Sequence, residues 1–253
     1  MRIFGLSDVH VDYDVNRRWI DDLSASDYQD DLLILAGDVS DSRVLLEECL
    51  TTLARRFARV LYVPGNHELW VLRDQRHHTS LDKFMEVCRV ARDCGVSMDT
   101  FHHRTLSIVP LLAWYDYSFG TPGDYLLEAW MDYRACRWPE DGDVQRVTQR
   151  FLRLNERRLE TKNDTIISFS HFVPRIDVMP DYISTENRRL YPILGSAALG
   201  EQIRRLEPSI HLYGHTHVNR QVLLDDVLYV NNAFGYPSEA GITGKRLLCL
   251  HDV

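Results

Sequence analysis

The stretch Asp31-Leu32-Leu33-Ile34-Leu35-Ala36-Gly37-Asp38-Val39-Ser40-Asp41 decides the fold. A short, continuous apolar run passes straight into glycine and carboxylates. Such a run has the length of a strand buried on both faces and is too short for a helix. The same design recurs along the chain. Residues 3–6 lead to Asp8 and His10, and residues 60–63 lead to Pro64-Gly65-Asn66-His67-Glu68. Residues 165–169 lead to Ser170-His171, and residues 210–213 lead to Gly214-His215-Thr216-His217.

Helical patterns lie between these runs. Residues 43–58 carry Leu46, Leu50, Leu53 and Phe57 on one face, with Asp41 or Ser42 as cap. Residues 80–94 stop at Gly95, residues 144–160 carry a narrower apolar stripe, and residues 197–206 end before Pro208. Residues 221–224 and 227–230 predict a hairpin about Asp225-Asp226, and residues 246–251 a last strand. Alternating strands and helices followed by strand pairs predict an α/β fold with mixed sheets. No linker or repeat interrupts the pattern, so one domain is expected over residues 1–253.

Composition narrows the function. The 253 residues are 45% apolar and 26% charged, as in a folded globular protein. Twenty-nine Lys and Arg against 37 Asp and Glu leave a net charge of −8, which speaks against a non-specific nucleic-acid binder. No apolar stretch approaches the roughly 18 residues of a membrane span, and residues 1–8 read as a strand entering a polar loop rather than a signal peptide. The five cysteines are scattered without a CxxC pair, which predicts a reduced, cytoplasmic protein.

The strand ends supply Asp8, His10, Asp38, Asn66, His67, His171, His215 and His217. All are oxygen or imidazole donors, placed where open α/β sheets bind ligands. They are more than one metal needs and suit two divalent ions, with Asp38 as the natural bridge. By contrast, His211 lies inside its strand, and His77, His78, His102 and His103 follow no strand end, so these read as structural. Residues 114–142 stand apart, rich in Trp and Tyr, and read as a surface excursion or a lid whose Trp114, Tyr115 and Tyr117 could stack a base or cover the metals.

Asp8-x-His10, Gly37-Asp38-x-x-Asp41, Gly65-Asn66-His67-Glu68, His171 and Gly214-His215-x-His217 resemble the blocks of the calcineurin-like metallophosphoesterases, in the family's order. The resemblance implies four layers, two mixed sheets face to face with helices outside. It implies a first metal on Asp8, His10, Asp38 and His217, and a second on Asp38, Asn66, His171 and His215. It implies that His67 contacts the phosphate and protonates the leaving group, with Asp41 supporting His67 or a neighbouring ligand. The activity implied is hydrolysis of a phosphate ester by a hydroxide bridging two ions, with Mn²⁺, Fe, Zn²⁺, Co²⁺ and Ni²⁺ all compatible with these donors.

The protein-phosphatase branch of that family carries Asp-Arg-Gly where this chain has Asp38-Val39-Ser40, so a phosphoprotein phosphatase is disfavoured. Glu68 stands where many diesterase relatives have Asp, which reads as a conservative exchange. Substrate contacts are expected from Asn66, His67 and Arg175, the last close behind His171 in the chain. A diesterase is favoured over a monoesterase, acting on a small molecule or nucleotide, with no membrane partner. A nuclease and a non-catalytic scaffold are the alternatives; the charge weakens the first, and retention of His67 and every ligand weakens the second.

Overall fold

The computed structural model describes residues 1–73, 79–139 and 143–253. His77, His78 and residues 140–142 of the aromatic segment lie outside the described residues. In chain order the strands are β1 (Arg2–Leu6), β2 (Leu32–Ala36), β3 (Arg59–Val63), β4 (Phe101–His103), β5 (Leu106–Pro110), β6 (Thr165–Phe169), β7 (Ile210–Tyr213), β8 (Arg220–Leu224), β9 (Val227–Asn231) and β10 (Leu248–Asp252). The helices are α1 (Asp14–Asp21), α2 (Arg43–Arg56), α3 (Ser80–Asp93), α4 (Asp124–Ala129), α5 (Asp132–Ala135), α6 (Val144–Asn155) and α7 (Ala197–Leu206).

Two mixed sheets result. One runs β10-β1-β2-β3 and the other β4-β5-β6-β7-β9-β8. The interior pairs β1-β2-β3 and β5-β6-β7-β9 are parallel, while β10, β4 and β8 add antiparallel edges. Side-chain alternation in β2 explains the stacking. Leu32, Ile34 and Ala36 pack inward with Ile108, Ile167, Phe169 and Leu212 of the second sheet. Leu33 and Leu35 pack outward with Leu46, Leu50 and Leu53 of α2 and Val87 and Val90 of α3. On the far side, Leu199, Ile203 and Leu206 of α7 pack with Val109, Ile166, Tyr213 and Tyr229. This is the α/β, four-layer arrangement that the resemblance implies. Among the described residues, no helix is long and apolar enough to cross a membrane, and the five cysteines are free.

Local chemistry sets several boundaries. Ser42 caps α2 by accepting from the Leu45 amide, and Gly95 follows α3 with φ +79°. Asp225 and Asp226 both take left-handed φ, 49° and 63°, as a two-residue primed hairpin turn requires. The helix expected over 144–160 stops at Asn155, whose side-chain amide bonds both backbone groups of Leu112 at 2.9 and 2.8 Å, and a 3₁₀ turn follows at Arg158–Glu160. Helix α1 and the β4–β5 pair lie outside the sequence expectations; α1 has eight residues, β4 three and β5 five.

The aromatic segment departs most from expectation. Trp114 and Tyr115 are fully buried between the sheets, with the Trp114 ring against Phe172 and Trp138. They belong to the core and cannot stack a substrate base.

His211 is structural, as its position inside β7 suggests. Its two ring nitrogens meet Ser168 Oγ at 2.7 Å and Ser170 Oγ at 3.0 Å. Burial lowers its pKa to about 3. The unfolded chain therefore binds a proton between roughly pH 6.5 and 3 that the folded chain refuses. Stability from this group is full above the unfolded pKa and lost as pH falls through that window. In chelator-treated protein, the loss of melting temperature on acidification from pH 7 to 4 will be shallower in His211→Gln than in the wild type.

Candidate metal centre

Five loops meet where β1, β2, β3, β6 and β7 end. They bring Asp8, His10, Asp38, Asn66, His67, His171, His215 and His217 together. Donor atoms of Asp8, His10 and His217 lie within 4.8 Å of one another, as do those of Asp38, His171 and His215. A third trio, His10, Asp38 and His67, joins the two.

The backbone is forced to achieve this. Asp8, His10, Asp38, His215 and His217 all take positive φ, between 39° and 69°. Non-glycine residues pay on the order of 1–3 kcal/mol each for such conformations. Backbone bonds hold them there: Asp8 and His10 donate to the carbonyls of Gly37 and Asp38 at 2.9 and 3.0 Å. The His215 amide donates to the Asp8 carboxylate and the His67 amide to Asp38 Oδ1, both at 3.0 Å. Glycine is required beside them. A Cβ on Gly37, itself at φ +82°, would sit 2.7 Å from His171 Nδ1, and one on Gly65 would collide with Asp38 Oδ1.

Glu68 is the tie beneath the centre, not a minor exchange. Its buried carboxylate accepts the amides of Gly65 at 2.6 Å, Asp38 at 3.1 Å and Ser40 at 3.2 Å, and also that of Val39. The loops after β2 and β3 are thereby joined by one side chain. Aspartate is one methylene shorter and could not span the four amides from the same backbone position. Burial pushes Glu68 up to about 7, against the four amides, which favour its ionised form.

Ring partners fix the imidazole tautomers. His171 Nδ1 lies 3.0 Å from the Ala36 carbonyl, and His215 Nε2 lies 3.0 Å from the Ile193 carbonyl. Carbonyls only accept, so each of these nitrogens carries the proton. The opposite nitrogens, His171 Nε2 and His215 Nδ1, then present bare lone pairs 3.1 Å apart. Burial lowers the pKa of both rings and keeps them neutral. Two lone pairs facing each other beside Asp38 Oδ2, 3.5 Å from His171, call for a cation. Asn66 Oδ1 faces the same point, 3.1 Å from His171 Nε2.

On the other side, His217 Nε2 lies 3.2 Å from both Asp8 Oδ1 and His10 Nε2. Its Nδ1 is 2.6 Å from Glu239. Burial opposes protonation there, but Asp8 and Glu239 together push His217 up to about 10. His67 lies beside both trios, with Trp70 stacked on its ring at 3.8 Å and the Tyr236 hydroxyl 3.4 Å from Nε2. Burial, then His171 and His217, lower its pKa to about 3.

Two expected residues lie elsewhere. The Arg175 guanidinium is committed to Asp177 at 2.7 Å and Asp225 at 2.6 Å, over the Tyr229 ring. The chain turns off after Phe172, where Val173 pairs with Gly195, so proximity to His171 in sequence does not bring Arg175 to the centre. Asp41 accepts from Arg73 at 2.7 Å, which also pairs with Asp12. It therefore steadies the loop edge rather than His67.

Sequence reasoning missed Asp132, Glu239, Tyr236 and Trp70. Asp132, on α5, is buried beneath the centre. Its Oδ1 accepts from Asn66 Nδ2 at 2.9 Å and Trp70 Nε1 at 2.7 Å, and its Oδ2 from Trp130 Nε1 at 2.8 Å. Trp70 stacks on His67, and Trp130 stands edge-on to His215 with ring centroids 6.0 Å apart. One carboxylate thus aims the Asn66 oxygen inward and braces two imidazoles through their neighbouring indoles. No local pattern announces it.

The calcineurin-like phosphoesterase model matches residues 1–219. The chain belongs to this family. It is a metal-dependent hydrolase of phosphate esters. Among curated proteins it is similar to the [acyl-carrier-protein] phosphodiesterase PptH of Mycobacterium tuberculosis, at 26% identity over 265 residues, covering 94% of this chain and 78% of that protein. The crystal structure of phosphopantetheinyl hydrolase (PptH) from Mycobacterium tuberculosis has the same fold, with TM-score 0.78 and 24% identity, covering 99% of this chain and 96% of that one.

Two substitutions test the supports. Glu68→Gln offers an amide NH₂ to backbone donors, and urea unfolding should show a loss of about 1–3 kcal/mol for each amide left unpaired. Asp132→Asn turns an NH₂ toward Asn66 and Trp70 or toward Trp130. Metal affinity, titrated against a chelator, should fall about 10–100-fold, with a smaller effect on the stability of the metal-free protein.

Proposed function

We propose that the chain hydrolyses a phosphodiester on two divalent ions. Asp8, His10, Asp38 and His217 would hold one, and Asp38, Asn66, His171 and His215 the other. The observation that carries this reading is the pair of adjoining donor trios, bridged by His10, Asp38 and His67. The inward lone pairs of His171 and His215 support it, and oxygen and nitrogen donors without thiolate suit Mn²⁺, Fe, Zn²⁺, Co²⁺ or Ni²⁺. Two such ions would acidify the attacking water and neutralise charge on the phosphoryl oxygens.

The protein's own groups have distinct parts. Asp38 lies between the two trios and aligns them. Asn66 turns its nitrogen to Asp132, so its oxygen serves as ligand and the phosphate contact falls to His67. His67, held by Trp70 and Tyr236, faces the centre as a neutral ring and would offer its Nε2–H as a hydrogen bond to the leaving oxygen, while the attacking water supplies the proton that this oxygen carries away. Asp132 positions Asn66. Trp70, Trp130 and Tyr236 pack their rings against His67, His215 and His217 respectively.

The substrate we propose is the phosphopantetheinyl diester of an acyl carrier protein. The likeness to PptH over nearly the whole chain supports this over the small molecule or nucleotide that the sequence suggested. Water would add to phosphorus, and the displaced ester oxygen would leave with a proton. A reducing cytoplasm suits the free cysteines.

With Mn²⁺, the protein should turn over bis(p-nitrophenyl) phosphate faster than p-nitrophenyl phosphate and release phosphopantetheine from holo-carrier protein. Preference for the monoester would overturn the diesterase reading. Asp38→Ala should lose both metals and all activity. His67→Ala should keep its metals and lose about 10²–10⁴-fold in kcat; loss of metal in that variant would show that His67 is a ligand.

A further inference from the structure

A cleft of about 450 Å³ opens directly beside the donor cluster. That volume suits an organic ligand of moderate size. One wall is Thr216, between His215 and His217, and another is Glu239, whose carboxylate is bound to His217 Nδ1. The cleft therefore adjoins the centre on the outer, Nδ1 side of His217. Its depth is apolar, with Met179, Leu190, Leu194 and Val218. At its mouth stand Tyr182, 77% exposed, and Ile242, 47% exposed. Ser184 and Asn187 add groups able to bond amides.

The charge of the lining selects its occupant. Among the described residues no lysine or arginine lines the cleft, and Glu239, the carboxylate among them, is already taken by His217 and the Tyr236 amide. A polyphosphate or sugar phosphate would find no counter-charge there. A neutral, mainly aliphatic chain with a few amides would find apolar walls and hydrogen-bonding groups together. The cavity of about 560 Å³ beside Arg175 differs: it is ringed by Arg175, Arg204, Glu207, Asp225 and Asp226 and shares no residue with the centre.

We infer that this cleft is the subsite for the neutral, amide-bearing arm of the diester, taking the pantetheine chain while its phosphate sits at the metals. The inference rests on the phosphopantetheinyl reading of the function. It makes segment 179–194 the part of the chain that distinguishes this substrate from other phosphodiesters.

Ser184→Trp fills the cleft from an exposed position, and Ile242→Glu charges its mouth. Both variants should keep the wild-type metal content and hydrolyse bis(p-nitrophenyl) phosphate at the wild-type rate. Both should raise KM for holo-carrier protein about tenfold to a hundredfold. Calorimetry with pantetheine itself should show binding to the wild type and none to Ser184→Trp. Unchanged KM in both variants would overturn the inference while leaving the substrate reading intact. If wild-type protein ignores holo-carrier protein but cleaves the small diester, the substrate reading fails. Pantetheine binding then decides the cleft alone, and its absence, or binding of a nucleoside in its place, overturns the inference.

Discussion

The buried Glu68 carboxylate is bonded to four backbone amides from two different strand-end loops, and the geometry of the centre depends on it. Parallel strands end side by side, but nothing in strand pairing dictates how the loops beyond them run. Glu68 supplies that constraint. It sets the Gly65 turn against Asp38, and Asp38 in turn receives the His67 amide. The residue that lies between the two donor trios is thus placed by a neighbour that faces away from substrate. A buried carboxylate is costly unless its bonds are complete, and here they are supplied by groups that would themselves be orphaned without it.

The same economy governs the histidines. Burial strips His171 and His215 of water and holds them neutral, which prepares lone pairs but leaves them facing one another. Backbone carbonyls of Ala36 and Ile193 decide which nitrogen of each ring faces inward. Positive φ at five donor residues adds further strain. A fold tuned only for stability would avoid both features. They make sense as preorganisation, in which the two stacked sheets and their helices supply the stability that the loops give up.

Charge shows a similar division of labour. The chain carries −8 overall, yet its phosphoester must approach closely. The attraction has to come from within the centre. The cleft beside it is kept free of cations and so adds apolar contact rather than charge. On the proposed reading, anchoring the phosphate and selecting the organic arm are separate tasks for separate surfaces.

Asp8, His10, Asp38, Asn66, His67, His171, His215 and His217 were legible because each follows a strand directly. The strand aims it, so the local pattern carries the information. An α/β fold with mixed sheets was legible for the same reason, since β2 and its companions are apolar on both faces, while the stacking of two sheets between helices was implied by the family resemblance. Arg175 and Asp41 misled because nearness in the chain stopped meaning nearness in space once the backbone turned away. Asp132 reaches Asn66 across 66 residues, and Glu239 reaches His217 across 22. Such contacts leave no period or spacing behind. The sequence by itself determined the strands and the donors they carry, because hydrophobic alternation and strand ends are local. Only the tertiary structure decided which carboxylates and carbonyls orient those donors, because that depends on which distant segments the packed core brings together.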